Sequence, residues 1–229
     1  MKKIDGKFSG TLFGCPGTMP MWIGTDEFAF VLNYKVGAST LALSITQHNT
    51  GEIIENETFD KRWSKIQQLN QFHFWKIPST NKKQIIAFVR NPIDRFVTLV
   101  NWIQSVSYKK YSELKADNHS DYLEKIIKRA WDTNQYDDIS NSDVHFLSQT
   151  RGMQRVFNNS EDLLDENKTK IFDIKEMRNF LESNGIPWKL SNSTSKKYIN
   201  KSNLTEEQIK ILTEIYEEDF INFQKYFRQ

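Results

Sequence analysis

The chain has 229 residues, 38% of them hydrophobic and 13% aromatic, which is enough to bury one good core, so the length reads as one domain over 1–229. Lys plus Arg number 31 against 29 Asp plus Glu, and a net charge of +2 excludes a broad nucleic-acid surface, so any anion site must be local. The only cysteine, Cys15, excludes an internal disulfide and a cysteine-built metal cluster, and fits a reducing compartment, read here as cytoplasmic.

The first residues, MKKIDGKFSGTLFG, carry two lysines but no apolar run of about 7–15 residues behind them, so they do not read as a signal peptide. Runs such as IIAFV fall far short of the roughly 20 residues of a bilayer helix, so no membrane span is expected. FAFVLNY (28–34) is a short apolar run that reads as a buried strand because of its C-terminal neighbours. KVGAST supplies a glycine and small hydroxyl residues, and LALSITQ then reads as a helix starting at Ser39 or Thr40.

FHFWKI, with its alternating pattern, reads as a strand, and QIIAFV (84–89) as the next. Arg90 closes that strand, and Asn91-Pro92 are a good N-cap and first helical residue for IDRFVTLVNWIQ. SDYLEKIIKRAW (120–131) places Tyr122, Leu123, Ile126, Ile127 and Ala130 on one face and reads as a covering helix. KIFDI (170–174) feeds the helix KEMRNFLESN, which stops at Gly185 and Pro187. From Thr205, a Thr-x-x-Gln capping box with Gln208 opens what reads as one long amphipathic helix through Leu212, Ile215, Tyr216, Phe220 and Phe223. Polar stretches 105–119 and 189–203 read as mobile loops. The alternation implies an α/β fold, a three-layer domain with a central, mainly parallel sheet flanked by helices.

Two of the strand-to-helix loops carry charge. Lys35-Val36-Gly37-Ala38-Ser39-Thr40 gathers an ammonium, two hydroxyls, backbone N–H groups and the positive end of a helix dipole around one point, as an anion site requires. A plain capped turn accounts for the same residues. Arg90 points into the crevice where open α/β sheets bind ligands, and Thr98 lies about two turns along the next helix, at ~3.6 residues per turn. Standing alone, this loop reads as a strand-end arginine paired with a carboxylate and a threonine bonded to its own helix.

Together, FAFVLNYKVGASTL and IIAFVRNPIDRFVTLVNW resemble the two signature loops of the sulfotransferases that use 3′-phosphoadenosine 5′-phosphosulfate (PAPS), notably the heparan 2-O-type carbohydrate enzymes. The resemblance implies a P-loop-like fold. It maps a 5′-phosphosulfate loop onto Lys35, Val36, Gly37, Ala38, Ser39 and Thr40, and a 3′-phosphate loop onto Arg90, Asn91, Pro92, Arg95 and Thr98. Tyr34 stands where that pattern has proline, and Thr98 where it has serine, which keeps the hydroxyl. DVHFLSQT (143–150) and YEEDFINFQKY near the C-terminus extend the likeness. It implies PAPS as co-substrate, a hydroxyl acceptor with a carbohydrate first in order, and Lys35 meeting the departing oxygen. No metal is expected, because a lysine can serve at the bridging oxygen and no Gly-Lys-Ser/Thr triplet places a lysine beside a metal-binding hydroxyl.

Attack by a hydroxyl calls for a general base, and histidine suits. His73 is the first candidate, since the family's 2-O-type enzymes place a catalytic histidine ahead of the second loop. A strand histidine satisfied by a backbone carbonyl is its plain alternative. His145 is the second, with Gln149 as a substrate contact. His48 and His119 read as solvated, while Glu52 or Glu55 stays open as a carboxylate base. Trp63, Trp75, Trp102 and Trp188 are candidate sugar platforms, although tryptophan is more often core. Two other functions stay open: a P-loop nucleotide kinase with Asp173 as a metal-ligating acid, and a phosphonucleotide- or glycan-binding module without transfer.

Overall fold

Short apolar, β-branched and aromatic runs build the centre of the molecule. In the computed structural model, the described residues are 22–54, 65, 69, 76–77, 81–105, 109–115, 118–135, 143, 145–190 and 197–227. Four strands, β1 (Trp22–Gly24), β2 (Phe28–Val31), β3 (Gln84–Val89) and β4 (Thr169–Asp173), lie side by side in that order. β2, β3 and β4 run parallel, with Phe30 opposite Ile86 and Val89 opposite Asp173. β1 is an antiparallel edge, folded back through a turn in which Thr25 N–H donates to Phe28 O at 3.0 Å and Thr25 Oγ1 accepts from Phe28 N–H at 3.1 Å. The sheet is therefore mixed.

Alternate residues of a strand face opposite sides, so each strand serves two cores. Ile86 and Phe88 join Ile23 and Phe30 beneath Leu41 and Ile45 of α1 (Ala38–Thr50) and Met177 and Leu181 of α5 (Met177–Ser183). Ile85, Ala87 and Val89 face the other way. They meet Met153 of α4 (Gln149–Gln154) and Phe223 of α7 (Glu217–Phe223). A third cluster joins α2 (Pro92–Ser105), α3 (His119–Gln135) and α6 (Glu206–Ile215). Helices thus flank both faces, and among the described residues no helix is long and apolar enough to cross a membrane.

Several boundaries differ from expectation for local physical reasons. β2 ends at Val31, three residues before the apolar run does, because the chain turns there and Asn33 spends its side chain on Phe88 O, at 3.4 Å. α1 starts at Ala38, since Gly37 in a left-handed conformation (φ 74°) ends the loop and its carbonyl takes the Leu41 N–H at 2.9 Å. The expected single C-terminal helix breaks at Tyr216 (φ −111°, ψ 24°), where the phenol donates to Phe146 O and the chain leaves the α2–α3 cluster for the sheet. The buried positions Leu212, Tyr216, Asp219 and Phe223 keep helical spacing through the break, which is why the segment reads as continuous.

The stretches expected to be mobile loops contain anchored residues. Tyr111 and Leu114 are buried in a short 3₁₀ turn over Lys109–Leu114. Asn101 holds the other stretch: its side-chain oxygen accepts from the Tyr198 and Ile199 N–H groups at 2.6 and 3.0 Å, and its amide donates to Ile199 O at 3.0 Å. FHFWKI falls mostly outside the described residues, and the strand expected there, with His73 on it, lies outside them too.

Candidate active site

Because β2 and β3 are adjacent and parallel, the loops that leave them open at one edge of the sheet. Neighbouring strands lie about 4.8 Å apart, which brings the Lys35 and Arg90 loops into contact. Arg90 Nη1 donates to Lys35 O at 3.4 Å and to Thr98 Oγ1 at 2.8 Å, while the Thr98 hydroxyl donates to Asp94 O at 2.9 Å. The two turns from Arg90 to Thr98 therefore close on themselves. Asn91 caps α2 as expected, accepting from Ile93 N–H at 3.0 Å. Burial pulls Arg90 below the ordinary arginine value while the Asp94 and Asp173 carboxylates raise it; an arginine so placed stays cationic.

The Lys35 loop is built differently. Lys35 itself lies at φ 59°, the one non-glycine residue with positive φ among those described. Such a conformation costs of order 1–3 kcal/mol and persists only where the surroundings over-determine it. Val36 is buried beneath the loop, and a Cβ on Gly37 would stand 2.8 Å from Cε, the flexible tip of Met177, so it is the left-handed φ that calls for glycine here. Gly37 brings no side-chain cap to α1, and the helix has no acidic residue in its first turn. Ala38, Ser39 and Thr40 thus open a 13-residue helix whose positive end faces the loop.

Arg95, assigned to the second loop by resemblance, is buried and faces inward. Its Nε donates to Tyr34 O at 3.1 Å and its Nη2 to His145 O and Leu147 O at 3.3 and 2.6 Å. It staples together the segment before Lys35 and the segment before α4. Gln149 is likewise no substrate contact: it is fully buried, its Oε1 accepts from Arg90 N–H at 2.9 Å and its Nε2 donates to Arg90 O at 2.7 Å. The amide pairs with the end of β3 as a neighbouring strand would. Behind it, the buried Asp219 accepts from the Gln149 and Thr150 N–H groups, both at 2.8 Å. Burial pushes the Asp219 carboxyl above its usual range, partly offset by Arg95 and these N–H donors.

His145 sits at the same edge within a ring of aromatic groups. Its Nδ1 lies 3.1 Å from Tyr111 Oη and 3.3 Å from Asp143 Oδ1, and Tyr111 Oη donates to that carboxylate at 3.3 Å. The imidazole stacks on Trp102 at 4.6 Å between centroids and 18° between planes, with the Tyr34 ring edge-on at 5.1 Å. Lys35 Nζ rests 3.1 Å from the centroid of the same indole. Burial, and then Asp143, push the Tyr34 phenol well above its ordinary value, so it stays neutral here.

A sequence model of the sulfotransferase family matches residues 18–226, which spans both loops, the Asp143–Gln149 segment and the C-terminal helices. The chain belongs to the sulfotransferase family. Among curated proteins and among solved structures, nothing matches it.

In this sulfotransferase, Lys35, Arg90, Thr98 and His145 meet at one sheet edge. His73, Glu55, Trp63 and Trp75 lie outside the described residues. His48 is exposed in the last turn of α1, and Glu52 is exposed and pairs with Lys65 at 3.7 Å. His119 is the first residue of α3 rather than part of a loop. Trp188 packs against the α1–α5 core. Asp173 is buried and spends its carboxylate as a cap, accepting from Lys175 N–H at 2.8 Å, and among the described residues no group of three His, Cys, Asp or Glu could hold a metal. Trp102, Gln149, Arg95 and Tyr111 gained their places through tertiary contacts. An indole at α2's far end, the Gln of SQT and the arginine of the second loop marked three of them in sequence, and nothing marked Tyr111.

Proposed function

We propose that this sulfotransferase uses PAPS as donor and a hydroxyl, a carbohydrate hydroxyl first, as acceptor, on a P-loop-like domain that works as one unit. The observation that carries the reading is the bond from Arg90 Nη1 to Lys35 O, which fastens the two candidate anion loops to each other. A nucleotide with a 5′-phosphosulfate and a 3′-phosphate needs two such sites a few ångströms apart. Gly37, Ser39, Thr40 and the N-terminal end of α1 would take the 5′ group, and Arg90 with Thr98 the 3′-phosphate.

In the transfer step, the acceptor oxygen forms a bond to sulfur as the bond from sulfur to the bridging oxygen breaks. That oxygen leaves on 3′-phosphoadenosine 5′-phosphate, and the acceptor proton passes to a base. Lys35 would meet the charge that grows on the bridging oxygen, a stabilisation stronger in the transition state than before it, and one that requires no metal. For the base we choose His145 over His73. With Tyr111 donating to Asp143, the imidazole Nδ1–H finds its acceptors in Asp143 Oδ1 and Tyr111 Oη, and this tautomer leaves the lone pair on Nε2.

The test is a thermal-shift panel of PAPS, 3′-phosphoadenosine 5′-phosphate, AMP, ATP and ATP with magnesium, followed by transfer from radiolabelled PAPS to a set of sugars. The 3′-phosphorylated nucleotides should stabilise the fold far more than AMP, by mass action on the native state. Equal shifts with AMP would remove the Arg90 loop from the reading. A shift seen only with ATP and magnesium would favour a kinase instead, and binding without transfer to any sugar, a binding module.

A further inference from the structure

Trp102 lies one helical turn past Thr98, so α2 carries its indole to the same edge as the Arg90 loop. It is half-buried against the α2–α3–α6 core, and three groups meet on it. Lys35 Nζ is 3.1 Å from the ring centroid, His145 stacks at 4.6 Å and 18°, and Tyr111 stands edge-on at 5.4 Å and 71°. Lys35 comes from the β2–α1 loop and His145 from the segment ahead of α4. One side chain from a third element thus touches both groups to which sulfuryl transfer from PAPS assigns chemistry.

Each contact fixes a different degree of freedom. A lysine on a four-carbon stem samples many rotamers, and an indole face attracts its ammonium through the ring quadrupole, which locates the charge. Stacking sets the plane of the imidazole, and the contacts of Nδ1 with Asp143 and Tyr111 set its rotation within that plane. Plane and rotation together decide where Nε2 points. A donor-side cation and an acceptor-side base must keep one spacing while a sulfuryl group crosses between them, and small misplacements are costly.

We propose that Trp102 is a positioning residue for sulfuryl transfer: it sets both the place of the Lys35 ammonium and the plane of the His145 ring, and so couples the donor and acceptor halves of the site. The proposal rests on the PAPS reading. It requires no contact between Trp102 and either substrate.

The experiment compares full-length wild type, Trp102→Phe and Trp102→Leu in three measurements. These are calorimetric affinity for 3′-phosphoadenosine 5′-phosphate, turnover of radiolabelled PAPS at saturating donor and acceptor, and the ¹H–¹³C spectrum of lysine-labelled protein without nucleotide. The Lys35 signals are identified by their loss in Lys35→Arg. Trp102→Leu should lower turnover by about tenfold or more, from the loss of one cation–π and one stacking contact, while nucleotide affinity stays within about threefold. Its Lys35 ε-methylene signal should move from a ring-current-shifted position to an ordinary one. Trp102→Phe, with a smaller face, should recover part of the turnover. Wild-type turnover in Trp102→Leu overturns the proposal, and so does a joint fall of turnover, affinity and melting temperature with no recovery in Trp102→Phe. If Trp102→Leu does not fold, the wild-type spectrum decides, since an unshifted Lys35 signal denies the contact. A wild type that binds no 3′-phosphorylated nucleotide overturns the PAPS reading itself, whereas one that binds and transfers but is indifferent to Trp102 overturns only this proposal.

Discussion

The two loops at the sheet edge do adjacent jobs by opposite means. The Arg90 loop is held largely by its own helix: Asn91 caps α2, Thr98 accepts from Arg90 and returns its proton to Asp94 O, and the backbone stays in ordinary regions. The Lys35 loop has two left-handed positions close together, Lys35 at φ 59° and Gly37 at φ 74°, with no side-chain cap. Its shape is imposed from outside, by Met177 under Gly37, Arg95 on Tyr34 O, Arg90 on Lys35 O and Trp102 against the ammonium. A loop that stabilises itself suits static recognition of a phosphate. One held in strain by its surroundings suits a group that must be in place before charge develops.

If that division is right, the largest effect comes from Lys35→Ala. Turnover should fall by roughly 10²–10³, as removal of one preorganised donor does, while affinity for the desulfated nucleotide changes far less. Lys35→Arg should also be poor, because a planar guanidinium does not replace a compact ammonium at a tight left-handed turn. Most of the wild-type turnover in Lys35→Ala, on a proven acceptor, would take the 5′-phosphosulfate away from this loop.

Arg90→Ala should show the reverse pattern, weakening 3′-phosphoadenosine 5′-phosphate by about tenfold to a hundredfold and leaving AMP nearly unchanged. A charge-assisted contact to phosphate contributes roughly 1.5–3 kcal/mol, and every 1.4 kcal/mol is about tenfold. Competition binding with the two nucleotides checks it. A parallel loss of AMP affinity would mean that Arg90 acts on the loop's shape and not on the 3′-phosphate.

The same contrast explains which parts could be read from the chain alone. Asn91-Pro92, the alternation in QIIAFV and the apolar face of α3 are local signals, complete within a few residues, and the elements lie where those signals put them. The Lys35 loop was visible as small residues after a strand. What supports it was not, because Arg95 reaches Tyr34 across 61 positions and Asn33 reaches Gln149 across 116. Periodicity also misled at Tyr216: a helix that bends at a buried residue keeps the same spacing of apolar positions on both sides. Gln149, read as a substrate contact from a motif, is fully buried against the Arg90 main chain.

Gln149→Leu sharpens the comparison from behind the Arg90 loop. A leucine of similar size strips the partners from the Arg90 N–H and C=O, and an unpaired buried group costs roughly 1–3 kcal/mol. The melting temperature should drop by about 2–4 °C per kcal/mol for a chain of this size. Affinity for the 3′-phosphorylated nucleotide should fall by several fold, while turnover at saturating nucleotide keeps most of its wild-type value. Because Arg90 Nη1 bonds Lys35 O, the loops share one network, and any fall in turnover should be smaller in the Lys35→Ala background than in wild type. Falls by the same factor in both backgrounds would mean that the two loops act independently.

The smallest expected effect lies one layer deeper, at Asp219, which supports Gln149 and is raised above the ordinary carboxylate value chiefly by burial. A carboxyl whose folded value exceeds its unfolded value contributes stability that is fully present below the unfolded value. That contribution is lost as pH rises through the folded one, because only the unfolded chain then ionises it without cost. Asp219→Asn removes the titration and replaces one of the two acceptor oxygens with an NH2 donor that faces N–H donors, so it lowers stability at every pH, but it cannot take part in this loss. The difference in melting temperature between wild type and Asp219→Asn should therefore be widest at acid pH and narrow as the pH climbs through and above the carboxylate range. A gap that widens with pH would mean that Arg95 and the Gln149 and Thr150 N–H groups outweigh burial. The Arg90 loop would then rest on an ion pair rather than on a buried carboxyl that resists ionisation.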